Sequence, residues 1–509
     1  MPAESVPTQA SPPAPASDRL DPQVLRVAVV VVLGSIMSVL DTTIVNIALQ
    51  TLHVKLHSSI DDVQWVITGY LLSLATVIPL TGWAARRYGA KRVYLTSLVV
   101  FTAGSALCGL ATSTSMLVAF RVLQGVGGGM IMPVGQMILA DAAGPKRMGR
   151  AMSITGVPTM LAPILGPTIG GLIIDSTSWR WIFYVNLPIG ILATVLAVRM
   201  LPSGRQHGEP RKLDIPGLLL MASGMPLFTY GLAEIGMTNG FSSPKVIVPI
   251  VVGLVLVAAF VLRSLRVSVP LLDMQLFRRS TYASASMAVF CLGGALFGAM
   301  VLLPLYFQNL RGDSVVDTGL LLGPQGLGMA LVMPISGRLT DRVGGGPLAV
   351  WGVILTTLAS VPFGLIGAHT SIVWLLIVQL FRGVGIGFGF MPAFIAAFAA
   401  LERSELADAA PQLNVIMRVG GSIGTALLAV VLQQSLNHLG SHASDGAMAG
   451  AYGRAFWWSV GLSAAAVIPC IVLWRAERAV KRRQAAADDS APPAGPEALP
   501  AEALAEAMA

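Results

Sequence analysis

The chain has 509 residues, of which 54% are hydrophobic and only 11% charged, with a net charge of +8. So little charge cannot keep a domain of this length solvated in water, which excludes an ordinary soluble protein and points to lipid. Apolar runs of about 20 residues, long enough to cross a bilayer and lacking apolar–polar alternation, exclude a membrane β-barrel and predict an all-α integral membrane protein.

Residues 1–22, rich in Pro, Ala and Ser with no basic start before a short apolar core, read as a disordered cytoplasmic tail rather than a signal peptide. Fourteen spans follow, at about 25–49, 62–84, 93–111, 116–139, 153–174, 181–201, 215–235, 246–263, 281–306, 317–337, 347–367, 371–393, 410–432 and 455–474. The stretch 477–509 reads as a second cytoplasmic tail, mobile from about Gln484. Cys108, Cys291 and Cys470 each stand alone in an apolar run, so no disulfide or metal site is expected.

Charge in the connections fixes the expected orientation. With the amino terminus in the cytoplasm, the inside connections carry Arg86, Arg87, Lys91, Arg92, Lys146, Arg147, Arg150, Arg205, Arg211, Lys212, Arg263, Arg266, Arg278, Arg279, Arg338, Arg342, Arg403 and the Arg475–Arg483 cluster. The outside ones carry Lys55, Arg180, Lys245, Arg311 and Arg454. That bias predicts an even number of spans with both termini cytoplasmic, and accounts for the net charge without a nucleic-acid partner.

The chain also repeats itself. Gly82-Trp-Ala-Ala-Arg86-Arg87-Tyr-Gly89 ends span 2, and Gly337-Arg-Leu-Thr-Asp341-Arg342-Val-Gly344 ends span 10. Gly125-Val-Gly127-Gly128-Gly129 in span 4 has its counterpart in Gly383-Val-Gly385-Ile-Gly387 of span 12. Gly166-Pro167-Thr-Ile-Gly170 in span 5 has one in Gly420-Gly-Ser-Ile-Gly424 of span 13. The offset of eight spans predicts two six-helix bundles, 23–201 and 271–476, with two extra helices in the linker 202–270. Such repeats place a pathway at their interface and rock against each other.

Charge inside a span is costly in hydrocarbon and marks function by default. Asp41 lies mid-span, and Arg121 lies within about one or two turns of its depth in span 4. Burial favours the neutral form of a carboxyl and a nearby guanidinium favours the charged form, so a cation that moves can switch proton affinity. The plainer reading is a static ion pair that fixes helix packing. Arg121, Gln124, Gly125, Gly128 and Met132 share one face of span 4, where glycines suit close helix contact; no strand precedes them, so a dinucleotide site is not expected. Gly156, Pro158, Pro163, Gly166, Pro167, Gly170 and Gly171 predict a bent, tightly packed span 5. Arg382 and Arg418 either line the pathway or snorkel inward. Gln64, Trp65, Tyr70 and Asn186, with Tyr306, Gln325 and Asn414 in the second half, are further cavity candidates, each also readable as an anchor or a satisfied core residue.

Leu40-Asp41-Thr42-Thr43-Ile44-Val45-Asn46, Arg121 through Pro133, the Gly166-Pro167 region and Trp179-Arg180-Trp181-Ile182-Phe183-Tyr184-Val185-Asn186-Leu187-Pro188 together resemble the fourteen-span drug:proton antiporter family of the major facilitator superfamily. That resemblance implies a major facilitator fold, Asp41 and Arg121 as proton-coupling residues, and a span 5 that marks export. Two positions depart from the family pattern: Arg86 stands where an acid is usual, the acid being kept at Asp341 in the second copy, and Gln50 stands where proline is common.

The resulting expectation is a monomeric exporter of the cell membrane that exchanges protons for small hydrophobic or amphipathic compounds and needs no cofactor. Only Asp41 is a deep carboxylate, with Glu234 near the end of span 7 and Asp61 and Asp62 at the mouth of span 2. Neutral drugs, lipids or a natural product therefore suit it better than polycations. A membrane sensor or enzyme is the competing class, against which stands the absence of Gly-x-x-x-x-Gly-Lys-Ser/Thr and His-Glu-x-x-His motifs.

Overall fold

The computed structural model describes residues 21–144, 147–202, 212–235, 243–399, 401–439 and 444–490; the side chains of Gln50, Asp61, Pro163, Pro167 and Arg403, and the positions of Lys146, Arg205 and Arg211, lie outside the described residues. Every regular element among the described residues is helical. In chain order these are α1 (Pro22–Lys55), α2 (Ile60–Val77), α3 (Thr81–Tyr88), α4 (Ala90–Leu110), α5 (Thr114–Ala143), α6 (Met148–Ser176), α7 (Trp181–Tyr184), α8 (Asn186–Met200), α9 (Ile215–Glu234) and α10 (Pro244–Ser264). They continue with α11 (Ser280–Leu305), α12 (Val315–Val343), α13 (Gly345–Gly364), α14 (Ile372–Ala399), α15 (Leu406–Asn437), α16 (Asp445–Ala465) and α17 (Val467–Ser490).

Thirteen segments among the described residues are long and apolar enough to cross a membrane, with α2 and α3, α7 and α8, and α16 and α17 each forming one segment. The 29-residue α6 lies between the fourth and fifth of these segments and supplies the remaining rod of the fourteen expected. The two ends of the last span differ most from the sequence expectation. The last span begins at Asp445, because Ser444 caps it by accepting from the Ala447 N–H, and α17 runs to Ser490 through alanine- and arginine-rich sequence that favours helix.

Polar residues set where the helices start. Asp21, Ser59, Ser113, Asp214 and Ser314 each accept a hydrogen bond from a backbone N–H two or three residues on, satisfying donors that no carbonyl of the helix can reach. Gly89 and Gly344 sit at φ 87° and 105°, a left-handed conformation that lets α3 turn into α4 and α12 into α13 without Cβ strain. Large apolar residues such as Leu219, Leu254, Trp351 and Leu358 are more than half exposed, as a rim facing lipid requires.

Helices α1 to α8 pack among themselves, and so do α11 to α17. The two sets meet chiefly where α6 lies along α12, and where α3 and α5 touch α15. The pair α9–α10 packs mainly on itself, with α9 reaching both α2 and α15. Ion pairs gather at the end of the bundle where α1 begins: Arg86–Asp408, Arg150–Asp341, Arg263–Asp214 and Arg279–Glu405. This is called the basic end below.

Candidate functional site

Asp41 and Arg121 meet inside the first bundle. The Arg121 Nη1 donates to Asp41 Oδ2 at 2.6 Å, and the two side chains are essentially sealed from solvent. The other carboxylate oxygen accepts from Gln124 Nε2 at 2.9 Å and Asn186 Nδ2 at 3.1 Å. Arg121 also donates to Gln124 Oε1 and to the Val66 carbonyl, and its guanidinium stacks 3.9 Å from the Tyr70 ring centroid. Asn186 is tied onward to Ser105 Oγ. One carboxylate thus joins α1, α5 and α8, and its partner arginine adds α2. A fully hydrogen-bonded buried pair is the condition under which ions persist in a low-dielectric core.

A cavity of about 250 Å³ opens between the halves. From the first half, α1 contributes Val31, Ser35, Ser38, Val39 and Thr42, α5 contributes Met132 and Gln136, and α6 contributes Met152, Thr155 and Gly156. From the second half come Phe297, Met300, Gln325, Met329, Phe390, Met391, Phe394, Met417 and Arg418. Six methionines, Met132, Met152, Met300, Met329, Met391 and Met417, line the wall. Their unbranched, polarisable side chains let such a surface repack around differently shaped apolar guests. No acidic residue is among the lining residues described. Asp41 is set back from the wall, on the same helix as Ser38 and Thr42, which face the cavity.

The basic end is closed across the halves. Arg86 on α3 makes a two-pronged pair with Asp408 on α15, at 2.8 and 2.9 Å, both side chains nearly buried. Asp341 on α12 accepts from the Gly149 and Arg150 N–H groups at the start of α6 and pairs with the Arg150 side chain. The preceding residue, Arg147, gives no side-chain cap to α6, so a carboxylate from the other half supplies it, favoured by the positive end of the helix dipole. Gly149 and Gly337 meet closely enough that a Cβ on either would run into the carbonyl of the other. Gly82 likewise packs against the Ala407 backbone, whereas Arg87 and Arg342 lie exposed.

The remaining candidates fall in distinct places. Met132, Gln325 and Arg418 line the cavity. Gln124, Asn186 and Tyr70 surround the ion pair. Asn414 bridges the halves by donating to Gln136 Oε1 at 2.7 Å. Trp65 stacks on Tyr230 of α9 with centroids 6.0 Å apart, and Gln64 sits half-buried beside it. Tyr306 donates to the Gly367 carbonyl, far from the cavity. Gly166 and Gly170 let α6 approach Thr43 and Ile44 of α1. Arg382 is buried, donating to Ser360 and Gln325. Sequence reading did not single out Asp408, Gln136 or the other cavity methionines; an acid in the first turn of span 13, taken with an unusual Arg86, is the signal that finds the first of them.

The chain matches the family model described as Major Facilitator Superfamily over residues 31–429. It is 41% identical over 424 residues to the Multidrug resistance protein B homolog of Mycobacterium tuberculosis, covering 83% of this chain and 78% of that protein. It is 29% identical over 428 residues to the Multidrug export protein EmrB of Escherichia coli, covering 82% of each. The solved structure of the human organic anion transporter MFSD10 (TETRAN) aligns with a TM-score of 0.60 at 16% identity, covering 89% of this chain and all of that one, a likeness of fold alone.

Proposed function

The chain belongs to the Major Facilitator Superfamily of membrane transporters, and from that premise we propose that it exports hydrophobic or amphipathic compounds, drugs among them, across the cell membrane in exchange for protons. The basic end and both termini are cytoplasmic in this reading, Asp41 is the proton-binding residue, and the halves alternate in exposing the cavity. The names of the multidrug relatives support the cargo class. The carrying observation is the Asp41–Arg121 pair, in which a titratable group one helical turn from cavity-lining residues is bonded to two neighbouring helices, α5 and α8.

Protonating Asp41 cancels its charge attraction for Arg121 and weakens its hydrogen bonds from Gln124 and Asn186. Breaking one side of a buried pair is worth about 3–5 kcal/mol. A proton crossing the full potential carries about 2.3 kcal/mol per 100 mV. The two magnitudes are comparable, so one proton suffices to bias the packing of α1 against α5, both of which wall the cavity. The test is substrate-induced proton movement in liposomes. Asp41→Asn is expected to keep binding substrate but lose accumulation driven by a gradient; unchanged coupling removes Asp41 from the mechanism. Export of a lipid or dedicated natural product is the alternative cargo, favoured by the apolar, acid-free cavity wall, and parallel transport of dyes and labelled lipid in proteoliposomes separates the two.

A further inference from the structure

Helices α2 and α15 touch near the basic end, through the 3₁₀ turn Ile78–Leu80 and α3, and diverge beyond it. The gap holds a second cavity of about 340 Å³, walled by Leu71 and Ala75 of α2 and Ile78 of the 3₁₀ turn, by Val415, Ser422, Thr425, Ala426 and Ala429 of α15, and by Met225, Thr229 and Leu232 of the inserted helix α9. Its wall is overwhelmingly apolar. Three residues, Leu71, Phe297 and Arg418, line both this crevice and the central cavity, so they form the partition between them.

Arg418 is the polar anomaly of that partition. Its Nε is buried with no hydrogen-bond partner, and its guanidinium makes no ion pair or hydrogen bond among the described residues. Tyr70 lies within electrostatic reach of it, and the other residues lining the two cavities with it are apolar or neutral, Gln325, Ser422 and Thr425 among them. Among the described residues no carboxylate lines either cavity; the nearest acid on α9, Glu234, engages Tyr230 instead. Arg382, behind Gln325, adds a second buried cation whose described partners are neutral. A guanidinium without an anion in such surroundings is expensive. An incoming anion would remove that cost, and the guanidinium fork matches a carboxylate.

We propose that the crevice between α2, α9 and α15 is a second binding site, which takes a single-chain amphiphile with its anionic head on Arg418 and its apolar tail between α9 and α15. The proposal rests on the export reading and narrows its cargo class. The inserted helix pair then has a role: α9 forms the lipid-side wall of the site, and the Leu71–Phe297–Arg418 partition is where a guest passes between crevice and central cavity.

The test uses the full chain in nanodiscs of zwitterionic phosphatidylcholine, with no proton gradient, and a fluorescent twelve-carbon carboxylate as probe. Alcohol and trimethylammonium probes of the same chain serve as controls. The carboxylate is expected to bind about 10- to 100-fold more tightly than the alcohol, the range for one charge-assisted contact. Arg418→Gln should bring the carboxylate to the alcohol's affinity, with Arg418→Lys restoring part of the preference. Ala426→Trp, which fills the crevice, should weaken all probes while keeping their order. Equal binding of the three probes, or a carboxylate preference that survives Arg418→Gln, overturns the assignment. Displacement of the probe by phosphatidylglycerol in the disc also overturns it, in favour of a structural phospholipid. Failure here leaves Asp41 coupling intact, and failure of Asp41→Asn to uncouple leaves this binding intact, so the two readings fall separately.

Discussion

Replacing Asp408 by Asn removes the anion from the lock at the basic end. The pair is two-pronged and nearly buried, with side-chain exposures of 6% and 7%. Arg86 Nε already lacks a partner there, so losing the carboxylate leaves a cation poorly compensated while the halves are closed. Removing one member of a buried pair costs about 3–5 kcal/mol, and opening the basic end returns Arg86 to water, so nearly all of that cost falls on the closed state. At about 1.4 kcal/mol per tenfold, the equilibrium should move toward the open basic end by at least about two orders of magnitude. Spin labels at Arg87→Cys and Glu402→Cys, both exposed near the lock, report the change as a shift from a short to a longer distance population in a background without native cysteines. The charge-reversed double variant Arg86→Asp with Asp408→Arg should recover part of the short population. An Asp408→Asn sample with the native distance distribution would refute the claim that this pair holds the halves together.

Three further outcomes follow from other contacts. Gly337→Leu, placed against the Gly149 carbonyl and the Ser153 hydroxyl, should prevent closure and give the longer distance population between the same pair of spin labels; a native short distance would show that α12 and α6 separate elsewhere. Asn186→Leu removes one of two amide donors to Asp41 Oδ1 and should cost about 1 kcal/mol, read as a lowered Tm in detergent, with a larger loss when combined with Gln124→Leu. Strict additivity would argue against one shared network. Replacing Met329, Met391 and Met417 together by valine should narrow the range of toxic compounds against which the protein protects cells, with protection against at least one retained, whereas uniform loss would point to misfolding.

The membrane architecture was legible because bilayer thickness imposes run length on every span, and the ion pair was legible because charge in hydrocarbon is rare enough to stand out. Direction around a helix was harder to read. Gln124 and Met132 share a face by spacing, yet one turns to Asp41 and the other to the cavity, because α5 is packed by α1, α2 and α4 along different parts of its length. Asn186 was placed with the cavity candidates by its polarity alone, and only the approach of α8 to α1 directs it to the carboxylate. The cap of α6 by Asp341 bridges nearly two hundred residues of sequence, and no local pattern announces a helix whose first turn is completed by another half of the molecule.

The placement of α9 has a consequence for the surrounding bilayer. This helix rests on α2 and on α15, so when those two part it can follow only one of them. On the opposite flank α6 and α12 lie against each other. In the proposed alternation of the halves, a slot opened between α2 and α15 would open beside α9, and the membrane would be thinned or filled there.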